Sequence, residues 1–110
     1  MNIKDLTARS DEASQLLALL ANSRRLQILC ALLDGERSVS ALETVVDLSQ
    51  SALSQHLAKL RSAGLVSTRR EAQSIYYSIC DERAQRVLGV LADIYCRPVK
   101  AQKASGKRIK

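Results

Sequence analysis

Apolar residues recur at helical spacing in five stretches of this chain, and at a period of two in one. Ala13, Leu16, Leu17 and Leu20 predict an amphipathic helix over 11–20. Asn22 or Ser23 caps a second helix in which Leu26, Leu29, Cys30 and Leu33 share one face, ended by Asp34-Gly35. That spacing predicts a core-facing Cys30. Ser40-Ala41-Leu42-Glu43 reads as a capping box opening a short third helix, with Leu42 and Val45 or Val46 apolar. Ser49 caps a fourth helix with Leu53, Leu57 and Leu60 on one stripe, and Gly64 stops it. The period then changes. Leu65 to Arg70 and Ser74 to Ile79 are rich in β-branched residues and tyrosine, and Glu71-Ala72-Gln73 joins them, which predicts a β-hairpin. Asp81 opens a last helix with Ala84, Leu88, Leu91 and Tyr95 on one face and Val87, Val90 and Ile94 beside it. So wide an apolar surface exceeds what one small domain needs to cover a helix. With the first helix, it is the expected interface with a second copy of the chain.

The stretch from Leu48 to Gly64 points to function. Opposite its leucine stripe lie Ser51, Gln55, Ala58 and Ser62, flanked by Ser54 and Lys59, and no acidic residue occurs between Leu48 and Gly64. A solvated surface helix usually mixes Glu with Lys, because i,i+4 pairs favour it. A helix lying in the major groove excludes carboxylates and favours side chains that hydrogen-bond base edges. A short capped helix, a tight turn and this acid-free helix form a helix-turn-helix pattern, although the turn lacks its common glycine. The hairpin that follows adds a wing. The fold class is therefore mainly α (α+β): a winged helix-turn-helix of five helices with a two-stranded wing. The candidate DNA-binding residues are Ser49, Gln50, Ser51, Ser54, Gln55, His56 and Lys59 on the helix, and Arg69, Arg70 and Gln73 on the hairpin. Gln55 has the reach for a bidentate contact to adenine, Lys59 suits a phosphate, and the two arginines suit phosphate or the minor groove.

The net charge of +6 sharpens this only after it is located. Arg97, Lys100, Lys103, Lys107, Arg108 and Lys110 account for all of it, so 97–110 reads as a basic flexible tail following a domain at 1–96. The body is neutral as a whole. Within it, 48–80 carries Lys59, Arg61, Arg69 and Arg70 against Glu71 alone, which concentrates positive charge on the reading helix and hairpin. No apolar run approaches the roughly 20 residues of a membrane span, and the first residues lack a signal-peptide apolar region, so a cytoplasmic protein without a membrane partner is expected. Cys30, Cys80 and Cys96 form no CxxC pair and no zinc spacing, and in a cytosol they rest as thiols. Only His56 is available as an imidazole base, and no Ser/His/Asp set or phosphate-binding glycine loop occurs. An enzyme is not expected. A winged-helix module that binds protein instead of DNA is opposed by the acid-free face.

The order helix, helix, helix-turn-helix, wing, helix resembles the ArsR/SmtB family of dimeric winged-helix transcription regulators. The likeness covers roughly Leu16 to Cys96. Its most specific parts are Arg24-Arg25-Leu26-Gln27-Ile28-Leu29-Cys30, the run from Leu48 to Leu57, and Ser67-Thr68-Arg69-Arg70-Glu71-Ala72-Gln73-Ser74-Ile75-Tyr76-Tyr77. These are similar to the branch that senses no metal and holds nodulation, hemolysin and persulfide-responsive regulators. The resemblance implies a homodimer on double-stranded operator DNA, with the 49–62 helix in the major groove and the wing on the flank. Metal sensors of the family carry cysteines in the third helix or His and Asp ligands along the last. Here the third helix reads Ser38-Val39-Ser40-Ala41-Leu42-Glu43 and the last has no histidine, so no metal site is expected. The thiol sensors use one cysteine in the second helix and one ending the last, places that Cys30 and Cys96 match. The resemblance thus implies a repressor switched by persulfide or oxidant at Cys30 and Cys96. The alternative is a regulator without ligand, in which the cysteines sense nothing. No cofactor is expected; haem is disfavoured because Arg97 separates Cys96 from Pro98, breaking the Cys-Pro dipeptide of haem-responsive sites. Cys80 reads as a small buried hydrophobe.

Overall fold

The computed structural model describes residues 2–96, and the basic stretch 97–110 lies outside them. The elements run α1 (Ile3–Ala8), α2 (Ser10–Leu20), α3 (Ser23–Leu32), β1 (Arg37–Ser38), α4 (Val39–Val45), α5 (Gln50–Ser62), β2 (Val66–Glu71), β3 (Ser74–Ile79) and α6 (Glu82–Tyr95). The fold is a mainly helical winged helix-turn-helix, with two elements more than the apolar pattern predicts. α1 is six residues long and buries none of them, so it has no apolar stripe to read; the Asn2 side chain caps it by accepting from the Lys4 and Asp5 amides. β1 has two residues, too few to show alternation, and pairs Arg37 with Tyr77 and Ser38 with Tyr76. The sheet is therefore three-stranded and antiparallel in the order β1-β3-β2, with β3 in the middle.

The helix caps follow side-chain chemistry closely. Asn22 caps α3 and Asp81 caps α6, each carboxyl or amide oxygen accepting from two first-turn amides. α4 corrects the expected capping box. Ser38 is its cap, the Oγ accepting from the Ala41 amide at 3.1 Å, and Ser40 lies inside the helix. Two serines two residues apart make equally good caps locally. Ser38 takes the role because its backbone is already extended by pairing with Tyr76.

One core of leucine, isoleucine and valine joins all helices except α1 to the sheet: Leu16 and Leu20, Ile28, Leu29 and Leu32, Leu42, Leu53, Leu57 and Leu60, Leu65 and Val66, Ile79, and Ala84 and Leu88. α3 is rotated relative to expectation. Its buried face is Arg25, Ile28, Leu29 and Leu32, while Cys30 is exposed and Leu26 and Leu33 are half-buried. A binary pattern scores Arg25 as polar and so hides this second i, i+3, i+4, i+7 stripe. In fact Arg25 is only 8% exposed. Its Nε donates to the Leu19 carbonyl at 2.7 Å and its Nη2 to the Ala18 carbonyl at 3.2 Å, satisfying the open end of α2. Cys80 is also exposed, at the strand-to-helix corner, and its thiol donates to the Gly64 carbonyl at 3.3 Å.

Candidate nucleic-acid interface

α4, the segment 46–49 and α5 form the helix-turn-helix. The turn is held from behind: the Asp47 amide donates to Gln27 Oε1 of α3 at 3.3 Å, and Arg24 lies 3.8 Å from the Asp47 carboxylate. Ser49 Oγ accepts from the Ala52 amide at 3.2 Å and starts α5. At the other end Gly64, at φ +82°, sends its amide to the Arg61 carbonyl, and Leu65 sends its amide to the Leu60 carbonyl. That pair of bonds is a Schellman stop, which requires the left-handed residue that glycine supplies. It turns the chain straight into β2.

Burial of Leu53, Leu57 and Leu60 sets the rotation of α5 about its axis. The opposite face then points outward. Gln50, Ser51, Ser54, Gln55 and Lys59 are exposed, as is the cap Ser49, whereas His56 is half-buried on the flank. No acid sits in the first turn and Lys59 and Arg61 sit in the last, so the N-terminal end of the helix keeps its positive dipole unopposed. Beside α5, a groove of about 580 Å³ separates it from the wing, lined by Ser54, Ala58, Arg61 and Ser62 on one wall and Ile75 and Tyr77 on the other. Arg61, counted in the sequence only for its charge, belongs to this groove. Its signal was the i+7 spacing from Ser54, but only the sheet shows that this side of the helix faces a cleft.

The wing closes through a two-residue turn, with Glu71 paired to Ser74 and Ala72 at φ +56°. Gln73 is exposed at its tip. The two arginines separate by strand alternation. Arg70 is exposed and makes no ion pair among the described residues, so no neighbouring carboxylate neutralises its charge. Arg69 is engaged. Its Nε donates to Glu36 Oε2 at 3.2 Å, Nη2 donates to Glu36 Oε1, Nη1 donates to Glu71 at 2.8 Å, and the guanidinium lies 4.7 Å over the Tyr76 ring. The Arg69 hydrogen bond holds the Glu36 carboxyl below its ordinary range.

A second site lies away from this surface. Leu26 and Cys30 of α3, Leu91, Ala92 and Tyr95 of α6, and Cys96 just past its end line an apolar depression of about 150 Å³. Both sulfur-bearing residues are reached by solvent. Burial against the apolar wall, and then the charge of Cys96, push the Cys30 thiol above its ordinary range. Cys80 belongs to neither site. Among the described residues, no three His, Cys, Asp or Glu side chains converge as metal ligands would.

Comparison with known proteins agrees with this geometry. The family described as "Bacterial regulatory protein, arsR family" matches residues 22–68. The transcriptional activator HlyU of Vibrio cholerae is 48% identical over 97 residues, covering 88% of this chain and 90% of that protein. The transcriptional repressor BigR of Xylella fastidiosa superposes with a TM-score of 0.82 at 36% identity, covering 89% of this chain and all of that one. Mb0332 of Mycobacterium bovis, a homodimeric winged helix-turn-helix DNA-binding domain, superposes with a TM-score of 0.69 at 32% identity, covering 94% of this chain and 92% of that one.

Proposed function

This chain belongs to the arsR family of bacterial regulatory proteins, DNA-binding transcription regulators rather than enzymes, and on that premise we propose that it is a homodimeric repressor whose grip on an operator is released by thiol chemistry at Cys30 and Cys96. The DNA reading is carried by one observation: burial of Leu53, Leu57 and Leu60 turns an acid-free face of Ser51, Ser54, Gln55 and Lys59 outward. Gln55 reads a base edge, Lys59 and Arg61 meet phosphates, and Arg70 meets the flanking backbone. Such a regulator works in the cytoplasm, where its DNA is. HlyU is named an activator and BigR a repressor; occupancy of the operator is common to both signs, and a dimer lying across a promoter represses by occlusion.

The thiol reading is supported by the depression that brings Cys30 and Cys96 together at the joint of α3 and α6. Its relative HlyU has been characterised in a form described as reduced, at a TM-score of 0.80 and 48% identity. In the proposed switch one thiolate takes the outer sulfur of a low-molecular-weight persulfide, releasing that persulfide's thiol. The second cysteine attacks the inner sulfur of the protein persulfide and releases hydrosulfide, leaving a Cys30–Cys96 disulfide. Peroxide reaches the same bridge through a sulfenic acid. A bridge pins the end of α6 to α3. α3 holds the helix-turn-helix through Gln27 and Asp47, and α6 carries the exposed apolar surface expected between protomers. Half-sites lie about 34 Å apart, so a small rotation between the two helices mismatches one reading helix.

The test is operator binding on the promoter upstream of the chain's own gene, with mass spectrometry, for wild type, Cys30→Ser, Cys80→Ser and Cys96→Ser before and after persulfide. Wild type and Cys80→Ser should form the bridge and let go of DNA; the other two should stay bound. Release of Cys96→Ser by persulfide defeats the dithiol switch, and absence of any binding in the untreated wild type defeats the DNA reading itself.

A further inference from the structure

Glu36 and Arg69 are 33 positions apart in the chain and stand on opposite sides of the sheet's middle strand. Glu36 precedes β1, Tyr76 is on β3, and Arg69 is on β2 directly across from Tyr76. The guanidinium therefore lies over the central strand and reaches past it, joining the outer strand of the wing to the edge strand rooted in the body. β1 and β3 themselves share only two residue pairs. We propose that Glu36 is a positioning residue for operator binding: it straps Arg69 across Tyr76, fixes the angle of the wing to α5, and leaves Arg70 as the wing's phosphate contact.

Charge decides between this role and direct contact by Arg69. One guanidinium meets two carboxylates, Glu36 and Glu71, so the cluster is net negative and offers nothing to a phosphate unless both are broken. An isolated exposed ion pair contributes little. Here the Glu36 fork is bidentate, a second carboxylate joins, and the cation stacks on an aromatic ring, which is the networked geometry in which such pairs hold position. Arg70 points to the other face of β2, with no carboxylate within ion-pair distance among the described residues.

The proposal rests on the DNA reading above, and its test keeps the two apart. Hydrogen exchange of the amides of 66–79 and operator affinity as a function of salt are measured for wild type, Glu36→Gln, Arg69→Ala and Arg70→Ala. Glu36→Gln and Arg69→Ala should speed exchange in the wing without lowering the melting temperature of the helical body. Both should weaken operator binding several-fold while leaving the salt slope as in wild type. Arg70→Ala should leave wing exchange unchanged and shallow the slope of log K against log salt by about 0.9, one released counterion. Tighter binding with a steeper slope in Glu36→Gln would mean that Glu36 masks a phosphate-binding Arg69, and the proposal fails. It fails equally if wing exchange and affinity in Glu36→Gln match wild type, or if Arg69→Ala shallows the slope as Arg70→Ala does. A wild type that ignores operator DNA, yet shows the wing-exchange response to Glu36→Gln, discards the DNA reading and keeps the strap.

Discussion

Gln55 stands in the middle of the exposed face of α5, on a helix whose rotation is locked by three buried leucines. A bidentate contact to adenine contributes about 1–3 kcal/mol of discrimination. Gln55→Ala should therefore weaken operator binding about fivefold or more and relax preference at one base position per half-site, as read by mobility shift over a panel of substituted operators. Unchanged affinity and preference would show that this face does not read bases. Cys30 makes a second residue-level case. Its thiol sits above the ordinary range first through burial and then through Cys96, so its alkylation should accelerate at higher pH than a free thiol's. Replacing Cys96 by Ser removes only the second cause, and the profile should move part of the way back. The outward placement of Gln55 was legible because the leucine stripe and the polar face opposite it belong to one local helix. The engagement of Arg69 was not, because its partner Glu36 is distant in sequence and meets it only across a sheet.

At the scale of elements, the ends of helices link the chain together. Asp81 caps α6 by accepting from the Arg83 and Ala84 amides, and also binds the Arg83 guanidinium at 2.7 Å. Arg83 in turn reaches Glu12 of α2 at 3.1 Å. Arg83 above all, with the backbone amides, holds the Asp81 carboxyl below its ordinary range. The unfolded chain binds that proton more readily than the folded one, so the cap's contribution is present at neutral pH. It is lost as pH falls below the ordinary carboxylate range and through the lowered folded value. Asp81→Ala should cost about 1 kcal/mol at neutral pH and show less loss of stability on acidification than wild type, by urea titration at several pH values. Arg25 binds α3 to the end of α2 with two charge-assisted bonds to carbonyls. Arg25→Met should destabilise the fold by about 2 kcal/mol without altering the exposed face of α5. The Asp81 cap was readable from one residue and its position. Arg25 was not, since its acceptors are backbone carbonyls that no sequence pattern displays.

The described residues form a flat body, 45 × 40 × 22 Å, with a radius of gyration of 16.0 Å, against about 13 Å for a compact domain of about this size. Its large exposed apolar side chains gather on α1, α2 and α6: Ile3, Leu6 and Leu17, with Val90 at 60%, Ile94 at 56% and Tyr95 at 78% exposure. Val45 of α4 is the exception. In the proposed homodimer, these exposed apolar side chains of the first helices and of α6 are the surface a second copy would cover. Ile94→Asp should place a carboxylate in that interface and shift sedimentation to the monomer. Operator affinity should fall far more than affinity for random DNA, because paired half-sites no longer bind as a unit. A dimer that survives this change would place the interface elsewhere.

Local rules were sufficient for most of the architecture. The leucine stripe of α5, its serine cap and glycine stop, the alternation of the wing and the apolar breadth of α6 all act within a few residues, and each was legible in the order of amino acids. What the tertiary structure decided was whatever needed partners far apart in the chain. It turned α3 so that Arg25 is buried and Cys30 exposed, and added the two-residue strand that moves the cap of α4 to Ser38. It separated Arg69 from Arg70 and set Cys30 beside the end of α6. The reason is physical. Periodicity reports which face of an element avoids water, but not which neighbour covers that face, and charge counted along a sequence cannot show which charges neutralise one another in space.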